Sequence, residues 1–216
     1  MSNPMLQLIV LGAIAVFLIL RLRNVLGTRD GFEPPRVPEA STPRRVTAVP
    51  DAPEDDDDIA DHVEQGSPAA RALEQMKQAE PSFAVGPFLS GARQAYEMIL
   101  TAFEKGDLSE VRPFLSPAVA EAFDGAIAER ERRGLTAEVQ YLGTRETTLA
   151  GAAYDPDSAE GEVTVRFVGE LIVALKDAEG NVVDGDAKAA RKQRDVWTFA
   201  RKMGQADPNW LLVATG

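Results

Sequence analysis

The chain's only histidine, His62, stands beside Asp61 in an acidic stretch, and its three tyrosines are Tyr96, Tyr141 and Tyr154. General acid–base catalysis needs an imidazole, carboxylate or phenol whose surroundings tune its pKa. From residue 82 onward there is no histidine, and Glu97 and Asp195 are the acids best suited to such work, although neither belongs to a motif. Tyr96 falls within an apolar helical stripe, where a core phenol with one hydrogen bond is the ordinary outcome. The absence of cysteine excludes disulfides and thiolate metal sites. No Gly-rich phosphate loop, nucleophile elbow or metal-ligand cluster is present. The run EDDDD, Glu54 to Asp58, has carboxylates but lacks the spaced ligands and turn glycine of a calcium loop, so it reads as solvated charge. These residues point to binding rather than catalysis, with no metal and no cofactor expected.

Two kinds of binding chemistry remain. Tyr96, Leu100, Phe103, Phe123, Ile127 and Trp197 are candidates to line a pocket for an apolar ligand or lipid tail, although such residues are also the commonest core fillers. Arg21, Arg23 and Arg29 are candidates to meet anionic headgroups, each worth up to about 1 kcal/mol close to a membrane surface. Setting topology alone explains Arg21 and Arg23 equally well. Charge is divided along the chain. Residues 1–50 carry six Arg against three acids, and residues 51–66 carry eight acids without Lys or Arg. With a net charge of −11, the rest is acidic as well, which argues against nucleic acid as a partner.

These residues are positioned by elements of very different kinds. MLQLIVLGAIAVFLIL, Met5 to Leu20, is uncharged and as a helix would span about 24 Å, enough for a membrane anchor once Met1–Pro4 and a snorkelling Arg21 are added. It lacks the positive n-region and the small-x-small site of a cleaved signal peptide. The flanking arginines all follow it, which puts the N-terminus outside and the main domain in the cytoplasm. Residues 28–66, Pro-rich and then acidic, read as a disordered tether. Ser67-Pro68 starts a linker helix that Pro81 stops, with a narrow stripe of Ala69, Ala72, Leu73 and Met76 suited to weak docking.

From residue 82 the pattern is that of a packed domain. Phe88, Leu89, Ala92, Ala95, Tyr96, Ile99, Leu100 and Phe103 recur at helical spacing up to Gly106. A short helix is expected from Ser109 to Phe114, and another opens at Ser116-Pro117, burying Val119, Phe123 and Ile127. From Leu135 the period becomes two. TAEVQYLG and GEVTVRFVGELIVAL read as strands, with a bulge or bend expected around Gly169. DAEGN is a turn, and RDVWTFARK and NWLLVAT read as a closing pair of strands carrying Trp197 and Trp210. Helices followed by strands imply an α+β class, with the helices on one concave face of a curled antiparallel sheet. The organisation expected is an anchor (1–27), a linker (28–66), a linker helix (67–81) and a domain (82–216).

The blocks FLSGARQAYEMILTAFEKGDLSEVRPFLSPAVAEAFDGAI, VRFVGELI and DVWTFARK…DPNWLLVAT resemble the Tim44-like domain family over residues 83–216, in particular its bacterial TimA-type members, which carry a single anchor and this domain. The resemblance implies a cone-like fold similar to nuclear transport factor two, with a pocket between sheet and helices. It also implies contact with anionic lipid and a scaffolding role near protein translocation. Two departures stand out. An anchor and tether replace the chaperone-recruiting region of the mitochondrial members, and GQADPNW lacks the Ser-Arg expected before DPNW.

The function these readings support is a membrane-tethered, non-enzymatic adaptor at the inner membrane. Its partner would be a translocase component, a chaperone or a client polypeptide, and its link to protein transport follows from the resemblance. The alternatives are a lipid or apolar small-ligand binding domain and, less favoured, a cone-fold enzyme.

Overall fold

The computed structural model describes residues 57–216. The expected anchor, Arg21, Arg23, Arg29 and the linker as far as residue 56 lie outside the described residues. Among the described residues, no helix is long and apolar enough to cross a membrane.

The described chain opens with one turn of helix, α1 (Asp57–Ala60), followed by α2 (Pro68–Ala79), α3 (Val85–Lys105), a 3-10 turn (Arg112–Phe114) and α4 (Pro117–Arg132). Five strands follow: β1 (Thr136–Asp155), β2 (Glu160–Lys176), β3 (Val182–Gly185), β4 (Arg191–Lys202) and β5 (Leu211–Thr215). They form one antiparallel sheet in the order β1-β2-β4-β5, with β3 pairing to the far end of β2. The architecture is α+β, with helices packed on a curled sheet.

The helix starts obey local chemistry. The Ser67 and Ser116 hydroxyls accept the N–H groups of Ala70 (3.1 Å) and Val119 (3.3 Å), each with proline at the first helical position. Gly106 ends α3 in the left-handed conformation, φ +83°. The start of α3 is different, because Ala84 offers no capping side chain. Asp58 caps it from 27 residues upstream, taking the Val85 N–H at 2.6 Å and the Gly86 N–H at 3.0 Å. Ile59, next to it, is buried in the core. The end of the acidic run, read from sequence as solvated tether, is therefore packed against the domain through residues 58 and 59.

Several expectations change in the folded chain. The α2 stripe, read as suited to weak docking, buries Leu73 and Met76 completely. The helix expected from Ser109 to Phe114 is only a 3-10 turn. β1 continues twelve residues beyond TAEVQYLG, through Asp155. Its pairing with β2 shifts three times, and each shift adds a residue to β1: Leu142, Arg145 and Ala150. These bulges bend the strand and curl the sheet. The irregularity expected at Gly169 lies instead on its partner strand, while β2 keeps continuous register with β4 through Gly169. Gly169 answers a different need. A Cβ there would stand 2.8 Å from the Tyr96 oxygen, so glycine allows the Tyr96 ring to lie on the strand. In the closing hairpin Trp197 is on β4, paired with Thr215, but Trp210 precedes β5 and belongs to the loop.

The core lies between α2, α3 and the sheet. Tyr96, Ile99, Val163, Val165, Phe167 and Leu171 are fully enclosed. The Tyr96 and Phe167 rings stack at 4.4 Å with a 7° interplanar angle, and Trp197 meets Tyr96 edge-on at 4.8 Å.

Candidate functional site

A 21-residue helix has more than one face to use, and α3 uses two. Phe88, Leu89, Ala92, Tyr96, Ile99 and Leu100 face the core. Pro87, Gly91, Gln94, Ala95 and Met98 instead line a groove of about 370 Å³, closed by Phe114 and by Pro208, Asn209 and Trp210 of the β4–β5 loop, with Phe88 and Phe199 at its base. Aromatic packing builds the base. Trp210 lies 4.7 Å from Phe88 and 5.8 Å from Phe83, and Phe88 meets Phe199 edge-on at 6.1 Å. Nothing stands within 4 Å of where a Gly91 side chain would begin, so the groove there runs over bare helix backbone. Met98, 46% exposed, is a flexible apolar side chain at the groove's edge.

Met98 and Phe114 also border a second concavity of about 700 Å³, which continues along the C-terminal half of α3. Its wall carries Glu97, Asp107 and Glu110 against Lys105. The Asp107 carboxyl is held below its ordinary value by the Ser109 hydroxyl and backbone N–H, so it is ionised. The two concavities form one trough along α3, aromatic at one end and acidic at the other. Such a surface can seat an apolar side chain and attract a cation beside it.

The six residues read as pocket candidates lie elsewhere. Tyr96, Leu100, Ile127 and Trp197 are buried core, while Phe103 of α3 and Phe123 of α4 pair at 4.7 Å and are partly buried. Tyr96 and Trp197 come together; none of the six lines the trough. Trp210, Met98, Gly91 and Phe114 do line it. Met98 had a legible signal, as an apolar residue off the α3 core stripe.

The candidate acids separate too. Glu97 belongs to the trough, whereas Asp195 is half-buried and accepts the Tyr96 hydroxyl at 2.5 Å and the Gln193 amide at 3.3 Å. Burial, reinforced by the Asp195 carboxylate, pushes the Tyr96 phenol far above its ordinary value, so it stays protonated. Nearby, Glu104 sits between Arg130 (3.7 Å) and Arg191 (3.9 Å), and burial raises its carboxyl despite both cations. This network ties α3 to α4 and to β4. His62 is exposed in a shallow polar concavity with Arg93 and Arg145. Among the described residues, no three imidazole or carboxylate groups converge as a metal would require.

The family model of the Tim44-like domain matches residues 69–216, beginning within α2. No curated protein matches the chain. Among solved structures, the crystal structure of the intermembrane space region of chloroplast protein ARC6 is similar at 15% identity, with a TM-score of 0.36, over 57% of this chain and 94% of that one.

Proposed function

The chain belongs to the Tim44-like domain family, and from that premise we propose a membrane-tethered, non-enzymatic adaptor that holds a polypeptide partner in the α3 trough. The observation that carries this reading is the trough itself: a Trp–Phe base, an exposed Met98 and an acidic far end on one continuous helix face. Aromatic anchors set in a concave surface are where binding energy concentrates at protein interfaces. The acidic end favours a segment that is apolar followed by basic.

Tethering supplies the rest of the proposal. An uncharged N-terminal span, Met5–Leu20, followed by Arg21, Arg23 and Arg29, would hold the domain at the cytoplasmic face of an inner membrane rich in anionic lipid. A tether of several tens of residues raises the effective concentration of the domain for partners assembled there. Translocase components, chaperones and client chains are the partners this arrangement suits, in protein transport or membrane-protein assembly. An acid–base role has less support: Tyr96 is enclosed by Gly169 and the core rings, and its half-buried partner Asp195 lies away from the trough.

A photo-crosslinking residue in place of Met98, used in intact cells, tests the reading. Repeated capture of the same transport or assembly component, lost when residues 1–27 are removed, is the expected result. Capture of lipid alone, or of metabolic enzymes alone, would overturn it.

A further inference from the structure

The trough's Trp210 wall stands on a loop that has little of its own to hold it. Residues 204–209 are all exposed, and the loop's internal bonds are local, from the Asn209 backbone and amide to Asp207. What secures it is a pair of side chains, Arg201 of β4 and Glu80 at the end of α2. The Arg201 side chain is only 9% exposed, and its guanidinium does three things at once. It pairs with Glu80 at the C-terminal cap of α2, donates from Nη1 to the Pro208 carbonyl at 3.2 Å, and lies 5.4 Å from the Trp210 ring centroid. Glu80 in turn accepts the Gly204 N–H at 2.9 Å and the Ser82 hydroxyl at 3.3 Å. The loop therefore returns to the end of α2, where a Cβ at Gly204 (φ +74°) would meet the Ala79 carbonyl at 3.3 Å.

We propose that the Glu80–Arg201 pair positions the Trp210 wall, so that docking of α2 and the shape of the trough are a single coupled event. The proposal rests on the trough being the binding site. The physical reason is the buried charge. With Glu80 neutralised, an enclosed guanidinium has no counter-ion, and it regains hydration only by swinging out. That movement removes the Pro208 hydrogen bond and the platform under Trp210 together. Lysine cannot replace arginine here, because a point charge cannot pair with a carboxylate, reach a carbonyl and stand over an indole ring at the same time. Arg201 and Glu80 are thus positioning residues: they act on a partner through Trp210.

The chain's two tryptophans make this testable in the full-length protein in detergent micelles. Labelled with 5-fluorotryptophan, it has one fluorine resonance from Trp210 in the wall and one from Trp197 in the core. In Glu80→Gln and Arg201→Lys the Trp210 resonance is expected to shift or broaden while that of Trp197 stays in place. The dissociation constant for a fluorescein-labelled Leu-Lys amphipathic peptide is expected to rise about tenfold, the scale of a modest coupling energy. Arg201→Lys keeps the charge facing Glu80, so it stays folded even if Glu80→Gln does not. An unmoved Trp210 resonance with unchanged peptide affinity overturns the coupling, as does a joint shift of both resonances, which signals general loosening. Met98→Glu is the separate control. If it leaves peptide affinity unchanged, the trough reading fails, while the Trp210 resonance still decides the coupling.

Discussion

Tyr96 shows how far a single side chain can be read at the residue scale. Its place in a helical apolar stripe marks it as core, and the structure adds its partner, Asp195, 99 residues away. Removing the hydroxyl leaves a half-buried carboxylate with only the Gln193 amide, so Tyr96→Phe is expected to cost about 2 kcal/mol in urea unfolding at neutral pH. The pH dependence has a definite sign. The folded phenol holds its proton above the value near 10 of an unfolded tyrosine, so its contribution is complete below that pH and is lost as pH rises past it. The wild-type chain should therefore lose stability more steeply than Tyr96→Phe above pH 10, read from unfolding curves at successive pH values. Parallel slopes would show that Tyr96 ionises as freely folded as unfolded. Burial also raises Tyr141, so the variant keeps part of the alkaline slope.

At the element scale, two features depend on partners far away in sequence. The start of α3 is capped by Asp58, a residue indistinguishable in sequence from its neighbours in EDDDD. Asp58→Ala is expected to cost about 1 kcal/mol and to speed amide exchange at Val85 and Gly86, while substitution of the exposed Asp61 by alanine leaves both unchanged. Gly169 in β2 is the second. Alanine there meets the Tyr96 hydroxyl, so Gly169→Ala is expected to destabilise by about 1–3 kcal/mol, the usual cost of overpacking. Combined with Tyr96→Phe, which removes the nearest atom, the loss should be smaller than the sum of the two. Additive losses in that double-mutant cycle would place the strain somewhere other than at the phenol oxygen. Sequence marks Gly169 as an irregularity but not its kind: period-two reading detects an interrupted alternation, whereas the cause is a ring arriving from α3.

At the scale of the whole molecule, the question is where the folded body begins. Asp58 and Ile59 belong to it, so a chain starting at Ser67 should melt below one starting at Asp57. Losing a cap and one buried isoleucine is worth about 2–3 kcal/mol, or roughly 5–10 °C in Tm at this size. Equal melting temperatures would return residues 57–66 to the linker. Sequence by itself determined the α+β class, the core stripe and the end of α3, the extent of α4, the Ser-Pro helix starts and the hairpin carrying Trp197, because each is encoded in local periodicity and capping chemistry. It also carried the family resemblance, which the family model bears out. Tertiary structure alone decided the rest. β1 runs through TRETTLAGAAYD, a stretch in which two of the three bulges, at Arg145 and Ala150, break the alternation by which a strand is recognised. The trough forms from α3, the 3-10 turn and the β4–β5 loop, and helical periodicity assigns an apolar residue to a face without saying what that face meets. Of the six aromatic and aliphatic candidates, Tyr96, Leu100, Ile127 and Trp197 are buried in the core and Phe103 and Phe123 are partly buried against it, for the same reason. Burial is a property of what packs against a residue, and that is settled only when the sheet curls over the helices.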